Sequence, residues 1–262
     1  MPRILVSCYS EFSRSGEQFI PDHVFGYSIS GTMEVYAGEE MHTSRVGKFA
    51  LLTRNQLAKF TKTPPSGGVF KMVSVVFDQQ TLRDFSTEYG YSAEKRKTRH
   101  GILLLHDSTL YKSYVDSIES YQDMVESGNS DLIRLKVKEL LLLIMKINPE
   151  MKDVLFDFTE PGKIDLEAFM NKNFHFNVGM NRFAYLTGRS LATFKRDFDK
   201  IFHISPNRWL QQRRLQEAFY LIKEKGRKPS DVYIEVGFEN LSHFSYSFKQ
   251  NFGVTPSGVV SR

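Results

Sequence analysis

The chain has 262 residues, 41% of them hydrophobic, enough for two ordinary domains, each with its own core. A single cysteine, Cys8, excludes an intramolecular disulfide framework and any cysteine-based zinc site. The net charge of +5 is concentrated: residues 163–262 carry 16 Lys+Arg against 9 Asp+Glu, and the remainder 19 against 21, so only the C-terminal part suits a polyanion.

MPRILVSCYSEFSRS lacks the apolar stretch and cleavage site of a signal peptide, and the longest apolar run, 140–145, is far shorter than the ~20 residues that span a bilayer. The expected address is the cytoplasm, with no membrane partner. The first eighty residues read as strands: ILVSCYS, HVFGYSISG, TMEVYAG, KFALLT, LAKFTKT and VFKMVSVVF are short, β-branched and aromatic, and are separated by Gly, Pro and polar residues. That spacing predicts an antiparallel sandwich or barrel. Pocket-facing residues would alternate with outward ones, so without a register the facing of Tyr27, Ile29, Tyr36 and Phe77 stays open.

From Thr81 the period lengthens. A helix is predicted at TLRDFSTEYGY, then two longer ones over about 109–125 and 131–147. The last is apolar on several sides and must be covered on several sides, by a subunit interface or by core packing. Pro161-Gly162 then marks a boundary, separating residues 1–160 from 163–262.

The C-terminal part writes one segment twice. At an offset of fifty residues Phe194, Phe198 and Phe202 match Phe244, Phe248 and Phe252, and Ile204-Ser205-Pro206 matches Val254-Thr255-Pro256. The i, i+4, i+8 spacing stacks each triplet on one helix side as a core face. Ser190 and Asn240 stand as N-caps of helices over about 190–202 and 240–252, and each is preceded by a shorter apolar helix ending in glycine, Gly188 or Gly237. Helix, glycine turn and capped helix make a helix-turn-helix unit, present here twice. Ser205-Pro206 opens a joining helix carrying Trp209, Leu210, Leu215, Ala218, Phe219 and Ile222 and ending near Lys225. Twenty helical residues span ~30 Å, close to the ~34 Å between successive major-groove faces of B-DNA.

Residues 163–262, most specifically EVGFENLSHFSYSFKQNFGVTPS with its GF turn, spaced phenylalanines and G-x-x-P ending, resemble the DNA-binding domain of the AraC/XylS family of bacterial transcription regulators. The strand-rich first part, with VGKFALLT and the two following helices, resembles that family's cupin-type effector and dimerisation domain. The resemblance implies an α+β two-domain chain: a cupin-like antiparallel β-barrel with two to three helices over 1–160, and an all-α domain with two helix-turn-helix units joined by a long helix over 163–262. The implied base-reading candidates are Ala192, Thr193, Lys195 and Arg196 in the first helix and Leu241, Ser242, Ser245 and Tyr246 in the second. Arg196 can chelate guanine through its planar fork, whereas Tyr246 stands where the family often has Arg and can position more than it specifies. Arg189, Ser190, Asn240 and Lys249 are the backbone candidates. The expected partners are double-stranded DNA, a second copy of the chain, RNA polymerase and an effector, small molecule or protein, whose binding residues are not legible.

Catalysis finds little support. His23 and His42 are isolated, and His100 and His106 fall in a later loop, without the H-x-H pair of metal-binding cupins. Cys8 has no nucleophile motif, and PPSGG has no following G-K-[ST]. The sequence therefore predicts no metal, no cofactor and no enzyme, and a transcription regulator rather than the alternative, a non-catalytic ligand-binding or interaction module whose helical domain does not read promoter DNA.

Overall fold

The computed structural model describes residues 2–11, 18–37, 40–94, 101–121, 123, 127 and 129–260. The chain forms two compact units, Met1–Thr159 and Glu160–Arg262. Among the described residues no helix is long and apolar enough to cross a membrane.

The first unit contains strands β1 (Arg3–Tyr9), β2 (Gln18–Ile20), β3 (His23–Ser30), β4 (Thr32–Ala37), β5 (Glu40–Ser44), β6 (Phe49–Leu52), β7 (Gln56–Thr63), β8 (Phe70–Phe77) and β9 (Ile102–Leu104). They form two antiparallel sheets, ordered β1-β8-β3-β6-β9 and β2-β7-β4-β5, an opened version of the cupin-like barrel. The chain crosses between sheets after β3 at Gly31, where φ is 81° and a Cβ would lie 2.6 Å from the Thr63 carbonyl oxygen. Only glycine meets both conditions.

Strand alternation then sorts the side chains. Ile20, Met33, Val35, Ala37 and Ala58 of the smaller sheet meet Leu52, Phe70 and Met72 of the larger. Phe25, Tyr27, Phe49, Leu51, Val73, Val75 and Phe77 point the other way, into a core shared with three helices, α1 (Gln79–Tyr89), α2 (Thr109–Ser120) and α3 (Ser130–Ile147). The larger sheet is thus buried on both faces, which is why β8 reads as a nearly continuous apolar run. Asp78, Ser108 and Asn129 cap the three helices. A 3-10 turn (Pro149–Met151) and a short helix, α4 (Lys152–Leu155), close the unit.

The second unit consists of α5 (Leu166–Asn173), α6 (Met180–Leu186), α7 (Leu191–Phe202), α8 (Pro206–Lys223), α9 (Pro229–Glu235), α10 (Leu241–Phe252) and α11 (Pro256–Val260). Helix α8 is the joining rod; Ser205 stands at its N-cap with Pro206 following, as the sequence predicts, and the Ser205 side chain makes no cap hydrogen bond. Trp209 and Phe219, both on α8, seat the two phenylalanine triplets. Trp209 lies 5.7 Å from Phe198 and 4.7 Å from Phe202 between ring centres, and Phe219 lies 6.1 Å from Phe248 and 4.7 Å from Phe252.

Midway between these anchors, Arg214 donates from Nε to the Phe174 carbonyl (2.7 Å), from Nη2 to that of Phe176 (2.8 Å) and from Nη1 to that of Gly237 (2.9 Å). One guanidinium therefore joins the loop before α6 to the turn before α10. Arg214→Met keeps the apolar stem but strands three carbonyls, and is expected to destabilise the second unit by about 3 kcal/mol. Trp209 is the only tryptophan, so its fluorescence in a urea titration of the full chain reads this unit alone. An unchanged midpoint would show that the guanidinium does not hold the halves together.

Candidate nucleic-acid interface

Each helix-turn-helix unit is built by the same backbone device. Gly188 (φ 66°) donates to the Tyr185 carbonyl and Arg189 to that of Ala184; Gly237 (φ 94°) donates to Ile234 and Phe238 to Tyr233. These bonds close the first helix of each pair, and the left-handed glycine redirects the chain. Ser190 Oγ accepts from the Thr193 amide (3.2 Å) and Asn240 Oδ1 from the His243 amide (2.8 Å), so both cap assignments hold as local structure.

Helices α7 and α10 bury Phe194, Phe198, Phe244 and Phe248, leaving the opposite faces to solvent. Ala192, Lys195 and Arg196 are exposed on α7 and Thr193 is half-buried; Leu241, Ser242 and Tyr246 are exposed on α10, with Tyr246 at 67%, and Ser245 is half-buried. Among the described residues, neither Lys195 nor Arg196 forms an ion pair. Lys249 follows Ser242 and Ser245 by seven and four residues and so shares their face. The matching position on α7 is Asp199, an exposed carboxylate. Ser247 is different: it is buried and accepts from Gln211 Nε2 of α8 at 3.2 Å.

Arg189, one of the backbone candidates, is engaged within the turn itself. Its Nε donates to Asp197 Oδ2 (3.0 Å), and Nη1 donates to the carbonyls of Ile164 (3.0 Å) and Thr187 (2.7 Å). A guanidinium engaged at three points inside a turn is a structural cross-link. Arg214 is another arginine whose role the sequence hid, since both hold backbone carbonyls that carry no sequence signature.

The first unit offers a cavity of about 700 Å³ between its sheets. Val24 and Gly26 of β3, Ala50 and Leu52 of β6, Met72 and Val76 of β8, Met33 and Val35 of β4, and Ile102 and Leu104 of β9 contribute to its wall. Tyr27, Ile29, Tyr36 and Phe77 do not line it; Tyr27, Ile29 and Phe77 pack on the helix side. Arg3, Arg45, Lys48 and Lys62 lie in the lining with one carboxylate, Asp22, whose pKa is raised by burial and by nearby Asp78. His42 lies in this lining, His23 is buried outside it, His106 sits near the Ile147 carbonyl, and His100 falls outside the described residues. Among the described residues, no three His, Cys, Asp or Glu side chains gather as a metal would require.

Two capped, glycine-turned helix pairs on one rod define a double helix-turn-helix protein. Residues 183–262 match a helix-turn-helix domain family, and residues 23–154, half of the chain, match the ExsA N-terminal regulatory domain family. The chain belongs to the AraC/XylS family of transcription regulators, in the branch that carries this N-terminal domain. It is 31% identical over 125 residues to the HTH-type transcriptional regulator ExsA of Pseudomonas aeruginosa, covering 47% of this chain and 45% of ExsA. It is 32% identical over 130 residues to the virulence regulon transcriptional activator VirF of Yersinia enterocolitica, covering 49% and 48%. The chain spans about half the length of the curated relatives it matches. An apo crystal structure of a ToxT variant from Vibrio cholerae aligns over 98% of this chain and 97% of its own, with 13% identity and a TM-score of 0.46.

The Asp197 carboxyl is held below its ordinary value of 3.8, first by the Arg189 hydrogen bond. A depressed carboxylate pKa contributes stability that is present above the unfolded value and lost as pH falls through the folded one. Urea titrations read by Trp209 should therefore show wild type and Asp197→Asn converging as pH drops below about 3.8, with wild type more stable at neutral pH. A constant difference between them down to strongly acid pH would remove Asp197 from the account.

Proposed function

We propose that the chain is a sequence-specific DNA-binding transcription regulator that places α7 and α10 in successive major grooves, acts in the cytoplasm, and recruits RNA polymerase when bound. The observation that carries this reading is the doubled helix-turn-helix on one rod, with Lys195 and Arg196 exposed on the outward face of α7 and Ser242, Tyr246 and Lys249 on that of α10. The 18 residues of α8 span ~27 Å, near the repeat of the major groove along one side of B-DNA. On α7, Arg196 and Lys195 read base edges or phosphates and Ala192 and Thr193 meet thymine methyls. On α10, Leu241, Ser242, Ser245 and Tyr246 fit the groove more than they specify, and Lys249 and the first backbone N–H groups of both helices hold phosphates. Ser190 and Asn240 contribute through the caps that aim those N–H groups.

Binding-site selection on a randomised duplex pool tests the division. Arg196→Ala should cost roughly 1–3 kcal/mol on the preferred sequence and relax one base position, whereas Tyr246→Ala should weaken all sequences evenly. Neither position belongs to a phenylalanine core face, so both variants should keep their helicity. Absence of salt-dependent duplex binding by the wild type would favour the alternative of an interaction module that does not read DNA.

In the same reading the first unit is the regulatory one. Its inter-sheet cavity suits an effector with an apolar body, and its α3 helix suits a second copy of the chain. Leu135 (66% exposed) and Leu142 (39% exposed) stand seven residues apart on one α3 face, the spacing of a helix–helix seam. Analytical ultracentrifugation of the full chain should show a dimer, and Leu135→Glu with Leu142→Glu should yield a monomer of unchanged helicity. A strictly monomeric wild type at high micromolar concentration would overturn the dimer.

A further inference from the structure

The last residues of the first unit and the first residues of the second are each held by an arginine. Arg54 Nη2 donates to the carbonyls of Asp157 and Thr159, both at 2.9 Å. Arg189 Nη1 donates to the carbonyl of Ile164 at 3.0 Å. Between these points the segment lies on the first helix-turn-helix: Glu160 accepts from the Tyr185 hydroxyl, and a Cβ on Gly188 would lie 2.3 Å from Gly162 C and 2.5 Å from Lys163 N. The contact at Gly188 is two residues before the cap of α7.

Arg54 belongs to a turn of four consecutive buried polar residues, Thr53, Arg54, Asn55 and Gln56. Such burial is costly unless hydrogen bonds replace water. Here they tie the turn to the cavity wall: the Asn55 amide donates to the Ile20 carbonyl (2.7 Å), and the Thr53 amide and Gln56 Nε2 donate to the Gly101 carbonyl (3.1 and 3.2 Å). Ile20, Leu52 and Ile102 line the cavity. The Arg54 amide donates to Nδ1 of buried His23, which burial, and then the Arg54 charge, push down to about 3. A neutral imidazole beside the guanidinium leaves that charge free to hold the carbonyls.

We propose that residues 157–164 are a strap conducting the state of the inter-sheet cavity to the first recognition helix, with Arg54 and Arg189 as its two clamps. Both arginines are positioning residues: Arg54 fixes the strap to the cavity's wall turn, and Arg189, through Ile164, Thr187 and Asp197, fixes it to the turn and body of α7. The recognition half of this proposal rests on the DNA-binding reading above.

The test uses the full chain. Arg54→Lys keeps the charge, but an ammonium does not reproduce the planar fork. Trypsin cleavage after exposed Lys163 should become several-fold faster, while stability read by Trp209 stays at the wild-type value. Affinity for the duplex selected by the wild type should change about 2- to 30-fold. In an Arg189→Lys background the Arg54→Lys effect on affinity should vanish, because the strap is already released from α7. Asp157→Ala, which removes the acceptor for the Thr159 amide without touching the sandwich interior, should act like Arg54→Lys and stands in if that variant misfolds. Unchanged cleavage in both variants would overturn the clamp. Faster cleavage with unchanged affinity, or with additive effects of Arg54→Lys and Arg189→Lys, would overturn conduction. A wild type that bound no DNA would overturn the functional reading and the recognition half together, while the cleavage rates would still judge the clamp.

Discussion

The Arg214 guanidinium and its three carbonyl acceptors are the constraint on which the second unit depends. A helix-turn-helix pair is too small to fix its own orientation on a rod by apolar contact alone. Trp209 and Phe219 seat the two phenylalanine triplets, but ring contacts permit sliding and tilting. Arg214, five residues from each, adds direction, because its planar fork accepts only one arrangement of the 174–176 loop and the Gly237 turn. The close approach at Gly237, where a Cβ would lie 2.5 Å from the His175 carbonyl oxygen, is the steric counterpart of that bond set. Rod, loop and turn are thus one assembly.

The two units share mechanics but differ in the chemistry of their turns. After Gly188 the chain uses an ion pair and carbonyl bonds from Arg189; after Gly237 it uses Phe238, buried edge-on against Phe244 at 5.2 Å. An ionic cross-link ties α7 to the segment entering the unit, whereas an aromatic one ties α10 to its own core. The same inequality reaches the surface, where Arg196 faces Tyr246 and Asp199 faces Lys249 across the fifty-residue offset. The first half carries both the link to the rest of the chain and the exposed arginine.

Much of this was legible in the sequence because it is local. Phenylalanine spacing, left-handed glycines and caps each act within one or two helical turns, so Phe194, Gly188, Ser190 and their partners could be assigned from the chain alone. The two sheets were legible as strands but not as a closed or open barrel. The three-residue strands β2 and β9 and the polar β5 offer too little alternation to detect. The cavity wall was not legible, since one residue of register exchanges Val24 and Gly26 for Phe25 and Tyr27. Arg189, Arg214 and Arg54 escaped for a common reason. Each holds main-chain carbonyls, up to 105 residues away in the case of Thr159, and a main-chain carbonyl leaves no letter in the sequence.

The placement of Trp209 and Phe219 on α8 also bears on how such a chain can diverge. Ten residues at ~100° each bring the two seats to azimuths ~80° apart, so the rod sets a phase as well as a length. Inserting one residue between them would turn one phenylalanine-bearing helix by ~100° against the other for only ~1.5 Å of extension. Seven residues would restore the phase to within ~20° but lengthen the rod by ~10 Å. No small insertion or deletion leaves both quantities intact. A change in the rod's residue count therefore alters its phase or its length, whereas a substitution on an outward face alters neither.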